Sequence, residues 1–376
     1  EGLRATGAAL TLFPNAWVAL HALGVAHKLT SLYAPIERGY VTNVANGSIQ
    51  EVSMAGTNRN EGEAGPRSVH RKALLEALAE ELPINSIRFS LKLTHIEAQK
   101  QEGSSIAVIH MEDGTIIKAK VLIGCDGLHS VVASWLGLSA PVNSGRSAVR
   151  GLALFPEGHG LNHEVQQFVD VGKRAAFIPI NDKELYWFFG WKSTNKGEYM
   201  AGNPELIQRE VIENFAKDFP PTYLDVVRHS DLSTLTWAPL MFRFPWDVII
   251  GNACKGTITV AGDAMHPMTP DLGQGGCSAL EDAVVLGRHI GETFIRYRRL
   301  VPQEAAKAVE SYVKERRWRV AGLITASYLS GWVQQDGSGW WMKFFRDIIF
   351  YRLFHRILDV IHYDCGKLPE FSSSTN

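Results

Sequence analysis

Apolar residues recur at helical spacing near both ends of the chain and at two places between them. The first predicted helix begins near Pro14 and ends at Gly24, because proline favours the first helical turn and glycine the C-terminus. Its buried side carries Trp17, Leu20 and Leu23. The other predicted helices cover residues 70–82 (with Leu74, Leu75 and Leu78 on the apolar face), 204–218, 275–299, 302–331 and 339–362.

Shorter apolar or alternating runs predict strands, and Asp113-Gly114 marks a hairpin turn between two of them. Residues 121–124 and 257–262 are apolar without strict alternation, which is typical of strands covered on both faces in a parallel sheet. The predicted strands are 38–44, 47–54, 86–91, 92–99, 104–111, 115–124, 146–155, 163–172, 174–180, 184–192 and 257–262.

Composition is that of a folded globular protein. The 376 residues are 45% hydrophobic and 20% charged, which excludes a disordered chain. Thirty-eight basic and thirty-nine acidic side chains leave a formal charge of −1, so no global field attracts nucleic acid or an anionic membrane. A small molecule is therefore the expected partner, and nucleic acid is not.

Four scattered cysteines form neither a zinc motif nor a disulfide framework, which favours a reducing intracellular compartment. The cytoplasm is the favoured compartment and a plastid is the alternative. The uncharged stretch 5–27 is long enough to cross a bilayer, but Pro14, Asn15 and His21 interrupt it, so we expect a loop followed by a helix. The amphipathic stretch 339–363 is compatible with a membrane surface, although a helix docked on its own domain is favoured.

The strongest chemical signal follows the strand at 257–262. The run GDAMHPMTPDLGQGG places Asp263 at the carboxyl end of a sheet, where α/β proteins bind ligands. Glycines at 273, 275 and 276 allow close approach of the backbone and open a helix whose free N–H groups favour an anion. A carboxylate beside an anion site fits a ligand that carries both sugar hydroxyls and phosphate.

A second run of this kind, GCDGLHS, follows the strand that ends at residue 124. It places Asp126 at the same type of strand end, and Ser130 is predicted to cap the next helix. Cys125 has no basic partner nearby in the sequence, so we predict a small side chain packed under the turn and not a redox group.

With these runs and the segment GLRATGAALTLFPNAWVALHALGV, the chain resembles FAD-dependent aromatic hydroxylases of the para-hydroxybenzoate hydroxylase type. The resemblance is strongest to a plant branch similar to zeaxanthin epoxidase and salicylate-hydroxylase-like monooxygenases. It implies FAD and NADPH (or NADH) as cofactors and O₂ as co-substrate. The cofactor-binding residues that it implies are Arg4, Arg71, Asp126, Gly262, Asp263, Pro270, Gly273, Gly275 and Gly276.

The chain departs from this family at its start. The family's first strand, its G-x-G-x-x-G turn, the helix and the second strand have no counterpart before EGLRATG, a difference of about thirty residues. The absent first strand is expected to lie between the strands at 119–124 and 257–262. The chain as given is therefore expected to hold FAD poorly, and a chain extended by that segment to hold it well.

The resemblance implies an α/β (overall α+β) fold. A Rossmann-like three-layer FAD-binding domain, without its first strand–helix–strand, would carry an inserted mixed or antiparallel substrate-domain sheet and C-terminal helices. The expected boundaries are 1–145 and 251–300 for the FAD domain, 146–250 with a contribution from 36–56 for the substrate domain, and 301–376 for the helices.

The implied reaction is insertion of one oxygen atom of O₂ into an aromatic or apolar small molecule, a class that includes isoprenoids, through a flavin hydroperoxide. No obligatory acid–base pair is nominated, and His266 is predicted to stabilise its turn. Alternate aromatic residues of strand 184–192 would pack under helices while the others line a pocket or the core. Two alternatives remain open: a flavin-linked isoprenoid reductase, and a non-catalytic binding form of the scaffold.

Overall fold

A computed structural model describes residues 2–3, 7–54, 65–101, 104–192, 198–335 and 361–370. Within these ranges the strands are β1 (Ala9–Leu12), β2 (Arg38–Asn43), β3 (Ile49–Ser53), β4 (Arg67–His70), β5 (Leu93–Gln101), β6 (Ser104–Met111), β7 (Ile116–Ala119), β8 (Leu122–Gly124), β9 (Val142–Leu154), β10 (Val165–Asp170), β11 (Lys173–Asn181), β12 (Glu184–Lys192), β13 (Thr236–Phe242), β14 (Cys254–Lys255) and β15 (Ile258–Val260). The helices are α1 (Pro14–Ala22), α2 (Ala26–Thr30), α3 (Arg71–Ala79), α4 (Val131–Leu136), α5 (Pro204–Glu210), α6 (Pro221–Arg228), α7 (Pro245–Ile250), α8 (Gly275–Tyr297) and α9 (Pro302–Gln335).

The strands before the two sequence motifs, β8 and β15, pair directly and in parallel, with Leu122 opposite Ile258. The prediction that an absent strand lies between them is therefore wrong, because their backbones already share hydrogen bonds. All of β15 is buried, whereas Ile123 of β8 is 37% exposed. The prediction of two covered faces is thus confirmed for β15 and wrong for β8.

Two of the predicted strands differ from the structure. Residues 86–91 form no strand, because Asn85 (φ 68°) and Ser90 (φ 56°) adopt left-handed backbone conformations that interrupt an extended run. The run 115–124 is divided into β7, which pairs antiparallel with β6, and β8, which pairs with β15. A bend at residues 120–121 separates them, and the two halves join different sheets.

A separate seven-stranded sheet has the strand order β13-β9-β12-β11-β10-β2-β3. Strands β2 and β3, from the first part of the chain, lie at one edge of it, and β2 runs parallel to β10. The other strand pairs of this sheet are antiparallel, so the sheet is mixed.

Two large hydrophobic cores and one small cluster are found among the described residues. The first joins α1, α8, α9 and β15, with Trp17 and Leu20 of α1 buried in it. Leu23 lies just past the end of α1 and is half-buried, and Gly24 follows with φ 79°. The second core covers the helical side of the seven-stranded sheet, where Trp187 and Phe189 pack against α6. The predicted packing of one set of β12 aromatics under helices is confirmed.

Residues 5–27 are described from residue 7 onward and contain β1 and α1, so a strand replaces part of the expected loop. No helix within the described ranges combines the length and the apolar character that a bilayer crossing requires. The predicted helix at 339–362 lies outside the described residues apart from its last two positions.

Candidate cofactor and substrate site

The turn after β15 exposes the carboxylate that the sequence singles out. Residues Gly262–Ala264 form a short 3₁₀ turn, and Gly262 has the left-handed φ of 58° that disfavours any other residue. Its N–H donates to Asp282 Oδ2 over 2.8 Å. This bond fixes the turn from below, so that Asp263 points outward and is exposed.

Asp263 lies against the start of α8. A Cβ placed on Gly275 would be 3.9 Å from Asp263 Oδ1, and the structure gives this carboxylate no hydrogen-bond partner within the described ranges. The residue before the helix, Gln274, supplies no side-chain cap. The first N–H groups of a 23-residue helix are therefore available to an electron-rich ligand beside a carboxylate that accepts from hydroxyls.

The glycines of this turn have different reasons for their presence. Gly273 ends the turn Pro270–Leu272 with φ 64°, and a Cβ there would come within 2.9 Å of the Phe13 ring. At Gly275 and Gly276 an added Cβ would meet only ordinary contacts of 3.7 to 3.9 Å. The protein itself therefore tolerates a side chain at these last two positions, which is consistent with a surface left bare for a ligand.

Asp126 lies at the same edge of the sheet, because Gly124 is opposite Val260 in the parallel pair. Its carboxylate caps α4: Oδ2 accepts from Val131 N at 2.7 Å, and Oδ1 accepts from Ser130 Oγ at 2.5 Å. Ser130 Oγ in turn accepts from Ala133 N, which confirms the predicted cap. Cys125 is exposed, so the prediction that it packs under the turn is wrong.

Arg71 is the first residue of α3 and is exposed. It follows β4, whose partner β1 carries Leu10, and the Leu10 side chain reaches the start of α8 at Gly276. The Arg71 guanidinium also lies close to Gly7, where an added Cβ would be 3.8 Å from Nη1. Arg71 therefore lies on the side of the fold where α8 begins. Arg4, the other predicted arginine, lies outside the described residues.

His266 is completely buried, and its Nε2 is 2.6 Å from Asp282 Oδ2. The Asp282 carboxylate also accepts from Arg316 Nε at 2.6 Å. Burial alone would raise the pKa of Asp282, but the charges of His266 and Arg316 and the bond from Gly262 hold that pKa well below its usual range. The geometry fits the predicted role of His266 in stabilising the turn, because its Nε2 is already paired inside the protein.

A second buried carboxylate, Glu281, extends this network. Its oxygens accept from Arg319 at 2.5 and 2.7 Å and from Asn15 Nδ2 at 2.6 Å, which joins α1, α8 and α9. Sequence reasoning missed Glu281, Asp282 and Arg316. The available signal was the pair Glu-Asp within the otherwise apolar helix sequence CSALEDAVVLG, since charges are rarely buried unless paired.

The seven-stranded sheet presents its other face to the turn at 270–272. Arg146 of β9 makes a two-pronged ion pair with Asp271, at 2.8 and 2.7 Å, and Arg174 of β11 donates to the Asp271 carbonyl at 3.1 Å. The Arg174 guanidinium lies 5.8 Å from the centre of the Phe188 ring. The half-buried members of the aromatic strand, Tyr186 and Phe188, therefore face the glycine turn, whereas Trp187 faces the helices.

Burial raises the pKa of the Tyr186 hydroxyl, so this phenol is neutral at physiological pH. Among the described residues no cluster of three or more histidine, cysteine or acidic side chains has the geometry of a metal site. The described side chains around residues 270–272 supply hydrogen bonding, charge and an aromatic lining.

Comparison with known proteins agrees with this geometry. Residues 9–327 match the FAD-binding domain family. "Monooxygenase 2" of Arabidopsis thaliana is 42% identical over 379 aligned positions, which cover 98% of this chain and 90% of that protein. "FAD-dependent urate hydroxylase" of Mycolicibacterium vanbaalenii is 27% identical, with 85% of this chain and 76% of that protein covered.

The fold is shared with solved structures. Klebsiella pneumoniae HpxO, crystallised with FAD and uric acid, superposes with a TM-score of 0.78 at 23% identity, covering 96% of this chain and 89% of that one. The start of α8, where two glycines leave the backbone uncovered, and the outward carboxylate of Asp263 agree with these relatives. The family match and the identity to "Monooxygenase 2" show that the chain belongs to the FAD-dependent monooxygenases of the FAD-binding domain family.

Proposed function

We propose that this protein is an FAD- and NAD(P)H-dependent monooxygenase that inserts one oxygen atom of O₂ into an aromatic or apolar small molecule. The observation that carries the proposal is the position of exposed Asp263 beside the start of α8. There the helix has no side-chain cap, and its first two residues are glycines. The two groups follow directly from a buried strand, at the edge of a sheet where α/β proteins bind nucleotides.

The residues present fit FAD. Asp263 would accept hydrogen bonds from the hydroxyl groups of the sugar-alcohol chain, and the N–H groups at 275–277 would lie near the pyrophosphate. Arg71 and Asp126 are further proposed contacts on the same side of the fold. When bound, FAD would supply the redox chemistry of a reaction in which NAD(P)H is the reductant, one oxygen atom of O₂ enters the substrate and the other leaves as water.

The protein's own part is positioning. Asp282 holds the Gly262 amide and His266 so that Asp263 keeps its outward direction. Arg146 and Arg174 of the seven-stranded sheet hold the turn at 270–272 in place through their ion pairs with Asp271. The substrate would then lie between this turn and the half-buried rings of Tyr186 and Phe188, where aromatic surface excludes water and favours an aromatic compound.

The test is the Asp263→Ala variant, compared with Asp182→Ala as a matched exposed aspartate in the turn between β11 and β12. We expect the control to bind added FAD as tightly as wild-type protein does, and the Asp263 variant to bind it much more weakly, in titrations followed by flavin fluorescence. Loss of about 2 kcal/mol of charge-assisted hydrogen bonding corresponds to roughly thirtyfold weaker binding. Equal affinities of the two variants for added FAD would refute the assignment of Asp263.

The flavin-loaded wild-type protein separates the remaining alternatives. An oxygenase consumes O₂ together with NADPH when an aromatic substrate is present, and it forms an oxygenated product. A reductase oxidises NADPH without O₂ uptake, and a binding protein does neither. Oxygen-electrode and mass-spectrometric measurements with ¹⁸O₂ distinguish these three outcomes.

A further inference from the structure

The outer side of α9 carries a stripe of side chains without charge. Its members follow each other at spacings of four, three and four residues, which places them on one side of the helix: Trp318, Gly322, Thr325 and Leu329. Tyr328 is the other exposed residue between positions 315 and 331, so none of the exposed side chains in this part of α9 is charged. A surface helix normally turns polar and charged residues to water. We therefore expect this side of α9 to be covered.

The short helix α7 extends the stripe on one side. Arg317, which precedes Trp318, donates to the Ile249 carbonyl of α7 at 3.0 Å and so holds the two helices together. On α7 the side chains of Trp246 and Ile250 are 53% and 79% exposed, and Trp318 itself is 67% exposed. Three large apolar groups are therefore open to solvent where α7 and α9 meet.

Ring contacts make this surface continuous. They lead from Tyr328 of α9 to Phe242 at 4.8 Å, from Phe242 to Phe244 at 5.2 Å, and from Phe244 to Trp246 of α7 at 4.4 Å, measured between ring centres. We call the exposed members the apolar patch: Trp246, Ile250, Trp318, Tyr328 and Leu329.

The size of the apolar patch matches one half of a protein interface. An aromatic side chain has about 150–250 Å² of surface, so the exposed fractions of the five residues add up to roughly 600 Å². Two such patches placed face to face would remove about 1,200 Å² from water, which reaches the lower limit of specific, stable interfaces. A second copy of the chain could therefore cover the patch.

Gly322 has no structural reason within its own chain. Glycine in a helix interior is less favourable than alanine. The other described glycines of α8 and α9 each have a neighbour within 4 Å of an added Cβ, such as Pro369 at 2.8 Å from Gly291, and Arg146 at Gly331. At Gly322 no atom lies within that distance. A glycine here is expected if a second backbone approaches α9 from outside.

We propose that the apolar patch is a two-fold interface between two copies of this chain. The stripe has large side chains at its ends and small ones at its centre, so it is complementary to itself when two α9 helices cross antiparallel. Trp318 would then pack against Leu329 of the partner subunit, and the backbones would approach at Gly322. Thr325 Oγ1 already donates to the Ala321 carbonyl at 2.8 Å, so this hydroxyl keeps an acceptor when it is covered.

The experiment measures the mass of the whole chain in solution by sedimentation equilibrium over a wide range of concentrations. We expect a reversible monomer–dimer equilibrium. Trp318→Ser and Trp246→Ser should each weaken dimerisation about tenfold or more, because each removes an aromatic anchor from the interface. Val171→Ser is the matched control: Val171 is 66% exposed in the turn between β10 and β11, and its loss should leave the dimer unchanged.

Gly322→Ala separates an interface from a purely structural role. The added Cβ meets no atom of its own chain, so the monomer should unfold at the same temperature as wild type or higher. Dimerisation should nevertheless weaken, because the two backbones can no longer approach as closely. Circular dichroism checks that all variants are folded.

Four results would overturn the proposal. They are a wild-type protein that stays monomeric at every concentration, a dimer that is unchanged in both Trp318→Ser and Gly322→Ala, a dimer that is weakened as much in Val171→Ser, and a monomer that floats with anionic phospholipid vesicles through Trp318. The last result would assign the apolar patch to a membrane surface instead.

Discussion

The buried carboxylate of Asp282 supports the turn Gly262–Ala264, which we call the cofactor turn, and its substitution should destabilise this turn more than any other single change. Its two oxygens receive three donors: Gly262 N, His266 Nε2 and Arg316 Nε, at 2.6 to 2.8 Å. In Asp282→Asn the volume is kept, but one oxygen becomes an NH₂ group that faces a donor. At least one donor then loses its acceptor, and Arg316 loses a charge partner in a site with no solvent access.

The expected loss follows from this arrangement. Removal of one partner from a buried ion pair costs about 3–5 kcal/mol, because the remaining charge is left uncompensated. Glu281 still pairs with Arg316 at 2.7 Å, so the lower end of that range, about 3 kcal/mol, is the expected decrease in the free energy of unfolding. FAD affinity should fall as well, since Asp282 belongs to the hydrogen-bond network that fixes the Gly262 amide and thereby orients Asp263.

The measurement is urea unfolding of flavin-free protein followed by tryptophan fluorescence, for wild type, Asp282→Asn and the control Asp225→Asn. Asp225 is half-exposed and lies 3.6 Å from His229 on α6, so its loss should cost about 0.5 kcal/mol or less. Arg316→Gln combined with Asp282→Asn should cost less than the two single changes added together, because the two groups are in contact. Equal stabilities of the Asp282 and Asp225 variants, with full FAD binding in both, would refute the reasoning.

Three further outcomes test other parts of the structure. Folding lowers the pKa of Asp282, so its stabilisation is complete above the unfolded value of 3.8 and declines as the pH falls below it. The stabilities of wild type and Asp282→Asn should therefore converge below about pH 4 in acid unfolding. Gly275→Ala should leave the flavin-free protein as stable as wild type, or more stable by about 0.5 kcal/mol, but should weaken FAD binding. Tighter or unchanged FAD binding would show that no ligand covers the backbone at this position. Brief alkylation of the folded protein, followed by mass spectrometry, should label exposed Cys125 well before Cys277, because burial raises the pKa of the Cys277 thiol to about 12. Equal labelling of the two cysteines would contradict the packing at the start of α8.

Much of the local structure was predictable because its causes are local. The helix at Pro14, the cap at Ser130 and the glycine turn before α8 each depend on a few neighbouring residues whose backbone preferences agree. The same locality misled at residues 86–91, where apolar residues read as a strand although Asn85 and Ser90 adopt left-handed conformations. Apolar character alone does not report whether a strand partner exists.

The sequence by itself determined which residues surround the cofactor turn: Asp263, the glycines that follow it and the buried strand that precedes them are contiguous. Only the tertiary structure decided what supports and faces that turn. Asp282 and Arg316 come from two different helices, and Asp271 meets Arg146 and Arg174 across more than ninety residues of chain. Such pairs form because burying a charge requires a partner, and the partner can come from any part of the chain that the fold brings close.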